Sequence, residues 1–127
     1  VADLIGGALQ WLEGMRHKHA TRPVAYIRGL DAINIQATVG RSVFQVLSGE
    51  GATETVERRD YIVRATDLMF GGVVTLPQVS DRVREMIGGQ VQEYEVVATG
   101  QEPHYRKSDP DGMALRIHTA LVKVAAA

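Results

Sequence analysis

Chemistry in this chain must come from histidines, carboxylates, hydroxyls or arginines, because it has no cysteine. That absence excludes a thiol nucleophile, an iron–sulfur site and a disulfide scaffold. His17 and His19 flank Lys18. Imidazoles two apart on a helix point about 200° away from each other and cannot share one ion, so the triplet reads as a basic helix end. His104 and His118 have no acidic or second histidine partner at ligand spacing. Ser108-Asp109 with His104 or His118 could suggest a hydrolytic triad. No strand–turn–helix elbow surrounds Ser108, however, and no glycine-rich oxyanion segment is visible. Ser108-Asp109-Pro110 is better explained as a turn, since Ser and Asp bond local backbone and Pro fixes its own φ. Gly71-Gly72 and Gly88-Gly89 lack the spacing and the Lys-Ser/Thr of a phosphate loop. The sequence therefore predicts no catalytic residue, no metal ligand and no cofactor.

Two basic clusters stand out, Arg58-Arg59 with Arg64, and Arg82 with Arg84. Arg82 and Arg84 share one face of a strand, where they could meet phosphates or a partner's carboxylates. Glu57, Asp60, Asp81 and Glu85 are interleaved with these clusters, which favours internal ion pairs. No aromatic array accompanies them, as stacking on single-stranded nucleic acid would require. The segment 48–57 differs in kind. It is glycine-rich, carries Glu50, Glu54 and Glu57, and lacks a large side chain to dock it. A partner-facing loop and an idle hairpin tip are equally consistent with that composition.

The elements that must position these residues follow from periodicity. Leu4, Ile5, Ala8, Leu9, Leu12, Met15 and His19 recur at steps of three and four, predicting an amphipathic helix over residues 1–20 that ends before Pro23. Gly6, Gly7 and Gly14 each weaken it by up to about 1 kcal/mol relative to Ala, so it needs a docking surface. After Pro23 the period becomes two. Expected strands cover 24–28, 32–38 and 42–47, the last two joined by a turn at Gly40-Arg41, and then 55–65. Short extended residues 73–77 follow a turn at 66–72. The strands 81–87 and 91–98 flank a Gly88-Gly89 hairpin turn, 99–111 is irregular, and 113–124 is the last strand. The prediction is one domain over residues 1–127: the helix at 1–20, then a mainly β small antiparallel barrel or sandwich of about seven strands over 23–124, with 48–57 projecting.

Composition agrees. A chain of 127 residues with 45% hydrophobic and 23% charged residues is one globular domain. Fourteen basic residues against 15 acidic give a net charge of −1, so there is no global basic field for nucleic acid. No apolar stretch reaches the roughly 18 residues of a membrane span. Residues 1–15 lack the basic start and continuous apolar centre of a signal peptide.

Five short runs carry a resemblance: Arg59-Asp60-Tyr61-Ile62-Val63; Leu76-Pro77 with Ser80-Asp81-Arg82-Val83; Tyr94-Glu95-Val96-Val97; Ser108-Asp109-Pro110; and Leu115-Arg116-Ile117-His118-Thr119. Over residues 58–122 the chain resembles small neck proteins of tailed bacteriophages, the head-to-tail connector and head-closure (stopper) group. Such proteins carry a P-x-x-G-D-R-I-like stretch entering a hairpin whose return strand holds Y-E-V. Ser80 stands where that pattern has Gly. The resemblance does not separate a stopper from the adaptor above it or the tail terminator below it.

The resemblance implies a structural virion protein, assembled in the host cytoplasm and placed at the neck. It implies a homo-oligomeric ring beneath the portal or adaptor and above the tail terminator or tail tube. The ring retains packaged DNA and docks the tail, while DNA passes without sequence-specific binding. No catalysis, cofactor or membrane is implied. On this reading Gly49, Glu50, Gly51 and Glu54 belong to a lumen- or partner-facing loop. His104, Tyr105 and Asp109, in the segment 101–111, contact a neighbouring ring. Arg82 and Arg84 are candidates for ion pairs between subunits. Ring contacts join different patches on successive copies, and mixed charge suits them. A rival reading is a stand-alone barrel of OB type binding nucleic acid or a small ligand, which would need a basic, aromatic face. A small hydrolase built on Ser108 or a histidine has no support in the spacing.

Overall fold

A computed structural model describes residues 21–126, so the helix expected over 1–20 lies outside the described residues. Within them the fold is almost wholly β, with nine strands and one 3-10 turn at Ala65–Asp67. The strands are β1 (Thr21–Arg28), β2 (Asp31–Leu47), β3 (Thr53–Arg64), β4 (Met69–Phe70), β5 (Val73–Val74), β6 (Arg82–Ile87), β7 (Gln90–Val96), β8 (Tyr105–Lys107) and β9 (Ala114–Ala126). The mainly β expectation holds, but the strand count exceeds the expected seven. Short β4 and β8 form inside segments that read as turn and irregular chain.

The expected turn at Gly40-Arg41 does not exist. β2 runs straight through it, and Gly40 pairs with Asp60 of β3. A Cβ at Gly40 would stand 2.8 Å from Arg116 Nη2. The glycine admits an arginine from β9 across the strand, a close approach that local sequence cannot reveal. The Gly88-Gly89 turn, by contrast, is where the dipeptide predicts it. Both glycines have positive φ, 58° and 78°, as a tight two-residue hairpin requires.

Seven strands form one sheet in the order β3-β2-β1-β6-β7-β9-β8, while β4 pairs with β5 separately. β3 also pairs with β9, from Arg59↔Thr119 to Arg64↔Ala114. Hydrogen bonding therefore runs from β3 through β2, β1, β6, β7 and β9 and returns to β3. Alternation along each strand decides what lies inside. Ile35 and Ala37 are buried while Asn34 and Gln36 are exposed. One sheet face thus gathers Val24, Tyr26, Ile35, Ala37, Tyr61, Val63, Val83, Tyr94, Val96, Leu115 and Ile117, with Leu68 completing the core.

Two polar clusters tie down this core. Tyr26 Oη donates to Asp81 at 2.5 Å. Arg28 Nη2 reaches the same carboxylate at 2.9 Å and the Leu76 carbonyl at 2.8 Å, pinning the excursion between β3 and β6 to β1. At the other cluster Glu85 accepts from Tyr61 Oη at 2.8 Å, Arg59 Nη2 at 2.9 Å and Arg22 Nη1 at 3.1 Å. Burial opposes ionisation of Glu85, but these donors outweigh it and hold its pKa below the ordinary carboxylate value. Burial, reinforced by the neighbouring Asp81 carboxylate, raises the Tyr26 phenol far above its usual range. Burial also raises Tyr61, with the Glu85 carboxylate adding to the effect and Arg59 opposing it.

Candidate functional site

β1 covers β2 only as far as Thr38, and β9 covers β3 only from Arg59. Beyond those points, residues 42–47 and 53–58 pair only with each other. They make a two-stranded arm roughly 20 Å long at about 3.4 Å per residue. Its tip is closed by Ser48 N–H to the Ala52 carbonyl at 2.7 Å and Gly51 N–H to the Ser48 carbonyl at 3.0 Å. Gly51 has φ of 83°, the left-handed conformation that favours glycine.

The two faces of the arm differ. Ser42, Phe44 and Val46 are half-buried, whereas Arg41, Val43, Gln45 and Leu47 are exposed. Phe44 lies edge-on to the His118 ring at 5.1 Å between centroids. Arg58 Nε donates to Thr99 Oγ1 at 2.9 Å, fastening the arm's root to the chain after β7. On the exposed face Arg41 meets Glu57 at 3.3 Å and Gln45 donates to Thr55 Oγ1 at 3.1 Å. These exposed contacts contribute little to stability.

At the root of the arm sits Asp60, fully buried. Its carboxylate accepts from the Ser42 hydroxyl and from His118 Nδ1, the latter at 2.8 Å, and Arg116 Nη1 lies 3.4 Å away. A carboxylate this deep is tolerable only with such a full set of donors. Ser42 donates to Asp60 and not to the imidazole. The order is hydroxyl–carboxylate–imidazole, which differs from the hydroxyl–imidazole–carboxylate order of a hydrolytic triad, and the trio ties β2 and β3 to β9. Beside it opens a cleft of about 410 Å³ lined by Arg41, Ser42, Val43, Phe44, Glu102, Arg106, Arg116 and His118. Among the described residues no group of three or more histidines and carboxylates could hold a metal ion. No helix there is long and apolar enough to cross a membrane.

A family model described as phage head-tail joining protein matches residues 2–126. The chain belongs to the phage head-tail joining protein family. No individually curated protein matches it. Family membership makes it a structural phage protein, a component of the virion at the head-tail interface that interacts with other head and tail proteins. The resemblance read from residues 58–122 extends over nearly the whole chain. A structural family argues against enzymatic activity, in keeping with the arrangement around Asp60.

The sequence-predicted residues of this head-tail joining protein fall in separate places. Gly49, Glu50 and Gly51 are exposed at the arm tip. Glu54 lies on β3 opposite Val46, since the strand begins at Thr53. Arg82 and Arg84 stand on β6 facing β7. Arg82 pairs with Glu93 at 2.7 Å and Glu95 at 3.3 Å, and Arg84 pairs with Glu93 at 2.8 Å. The hydrogen bonds from Arg84 and Arg82 lower the Glu93 pKa against a smaller effect of burial. Internal pairing was legible in the sequence, but its wiring was not. The interleaved acids turn elsewhere, Asp81 to Arg28, Glu85 to Arg59 and Arg22, Asp60 to Arg116 and His118, and Glu57 to Arg41.

His104 Nε2 lies 2.7 Å from the Pro77 carbonyl, and its ring meets Tyr105 at 4.9 Å. Tyr105 pairs with Ile117 of β9. Asp109 Oδ1 accepts from Ala114 N–H at 3.0 Å, and its carbonyl accepts from Gly112 N–H at 3.2 Å, as a turn former does. His17 and His19 lie outside the described residues. Asp60 and Glu85 are the residues whose role the sequence hid, because a buried acid within a strand looks like any other charge in the chain.

Proposed function

We propose that this protein is the ring-forming stopper of the phage neck, a small antiparallel barrel. Copies assemble between the portal or adaptor above and the tail terminator or tail tube below, retaining packaged DNA and docking the tail. The observation that supports this reading is the arm. A long hairpin leaves the pairing circuit, is fastened at its root by buried Asp60, and carries exposed Gly49, Glu50, Gly51 and Glu54 outward. A feature so placed reaches another copy, another ring or the channel.

Two further features fit. β8 ends the sheet order, so one edge of Tyr105–Lys107 is open to a neighbour, in keeping with a contact role for His104, Tyr105 and Asp109. Leu30, Val73, Val74, Leu76 and Val79 are exposed apolar side chains that a partner would cover. With a net charge of −1 the chain does not grip DNA, which suits a channel through which phosphates must slide. Arg82 and Arg84 keep one side each in solvent and remain candidates for a second, intersubunit partner.

The test is to delete residues 49–53 in the assembling particle. DNA-filled heads should then leak DNA or fail to join tails. Heads that close and join normally overturn the assignment of the arm.

A further inference from the structure

β8 and β9 pair with Arg106 directly opposite Arg116, so their guanidinium groups share one face of the sheet. Like charges placed this way destabilise a strand pair, and an anion seated between them removes that cost. Arg41 lines the same cleft beside Arg106 and Arg116. Within the fold these cations are weakly partnered. Arg116, its side chain 22% exposed, approaches only Asp60, at 3.4 Å, and that carboxylate is already engaged by Ser42 and His118. Arg41 meets Glu57 at 3.3 Å in a pair exposed on both sides. Arg106 is exposed and meets no carboxylate among the described residues, although Glu102 lines the same cleft. A cleft walled by guanidinium forks suits a carboxylate, which each fork can bind with two parallel N–H donors.

The arm supplies the matching charge. Glu50 and Glu54 are exposed near its tip, and neither meets a cation among the described residues. They do not reach the cleft's arginines in their own copy. Glu54 is opposite Val46, which lies along β2 from Arg41 by roughly 17 Å at about 3.4 Å per residue. Glu50 lies farther out still. Each copy thus carries both halves of a contact that it cannot close alone, the arrangement that joins successive copies head to tail. DNA phosphate is the poorer occupant, because a net charge of −1 supplies no field to hold a duplex against the cleft.

We propose that the cleft at Arg41, Arg106 and Arg116 receives the arm tip of an adjacent copy, with Glu50 and Glu54 set against the guanidinium groups. This rests on the ring reading and names the two patches that meet in it.

The chain has no cysteine, so introduced thiols report only the contact under test. In DNA-filled particles, Ala52→Cys with Lys107→Cys places one thiol at the arm tip and one beside Arg106. A short bis-maleimide should then join copies into a ladder, which neither substitution alone should give. Adding Arg106→Glu should cut the linked product by roughly fivefold or more, and further adding Glu50→Arg and Glu54→Arg should restore it to within about twofold. If Arg106→Glu keeps the chain out of particles, the same two arginines should bring it back, and failure to do so overturns the proposal. A ring of this chain that gives no ladder, or a ladder indifferent to Arg106→Glu, overturns the proposal and leaves the ring reading standing. So does linkage of position 52 to a different virion protein, or loss of DNA from Arg106→Glu particles with the ladder intact. Absence of the chain from the neck overturns the ring reading, and the proposal falls with it.

Discussion

β2 and β3 each serve two regions. Residues 31–38 of β2 pair with β1 and residues 59–64 of β3 pair with β9, so here the two strands are part of the pairing circuit, with the apolar face sealed. Over residues 42–47 and 53–58 the same two strands, in the same register, have only each other. Within the circuit, burial of Ile35, Ala37, Tyr61 and Val63 stabilises the fold. On the outer face of the arm, Val43 and Leu47 face solvent at 52% and 74% exposure, and the contacts there are surface pairs. One hairpin therefore contributes to stability at its root and offers surface at its tip. Asp60 marks the boundary, because its donors come from β2 and β9 together.

The comparison breaks most readily at that boundary. Asp60→Ala leaves His118 and Arg116 without their carboxylate and should cost about 3–5 kcal/mol in chemical denaturation, whereas removing residues 49–53 should cost under about 0.5 kcal/mol. Similar losses from both would mean the arm is part of the folding unit. Next, Ile117→Ala should cost about 2–5 kcal/mol, and Leu47→Ala at the arm's end should stay within about 0.5 kcal/mol. A large effect at Leu47 would erase the distinction.

A smaller loss is expected for Tyr61→Phe, about 1–3 kcal/mol, because Glu85 loses a buried donor. Acid sharpens the same contrast. Glu85 and Glu93 have folded pKa values below the ordinary 4.5, so their contribution is full above that value and is lost as pH falls below it toward the folded values. Denaturation midpoints should hold from neutrality to about pH 5 and then drop, and Glu85→Gln should flatten that drop. The smallest effect is spectroscopic. Of the four tyrosines, Tyr26 and Tyr61 should fail to ionise near pH 10 in the folded protein, as followed by absorbance. Stability should then fall as pH rises past 10, where the unfolded phenols ionise and the folded ones do not.

What the sequence disclosed was local. Alternation at Ile33, Ile35 and Ala37 and the Gly88-Gly89 dipeptide fix a strand and a hairpin because their causes lie within a few residues. Gly40-Arg41 misled because the reason for that glycine, Arg116, belongs to a distant strand. The arginines at 82 and 84 looked to the acids beside them in the chain, yet cross-strand register hands them Glu93 and Glu95. The short β8 needs β9 as a template, and nothing in Tyr105–Lys107 announces it. The arm tip was visible as glycine and glutamate without a docking side chain. Its pairing was not, because 42–47 was expected to pair with 32–38 across a turn at Gly40-Arg41, whereas register joins 42–47 to 53–58.

The most direct measurement is an image of the neck in DNA-filled particles at a resolution that traces the backbone. A closed ring of this chain, with residues 48–52 of each copy against another polypeptide or lining the channel, is the expected result. Copies scattered singly, with every arm tip in bulk solvent outside the neck, would contradict it.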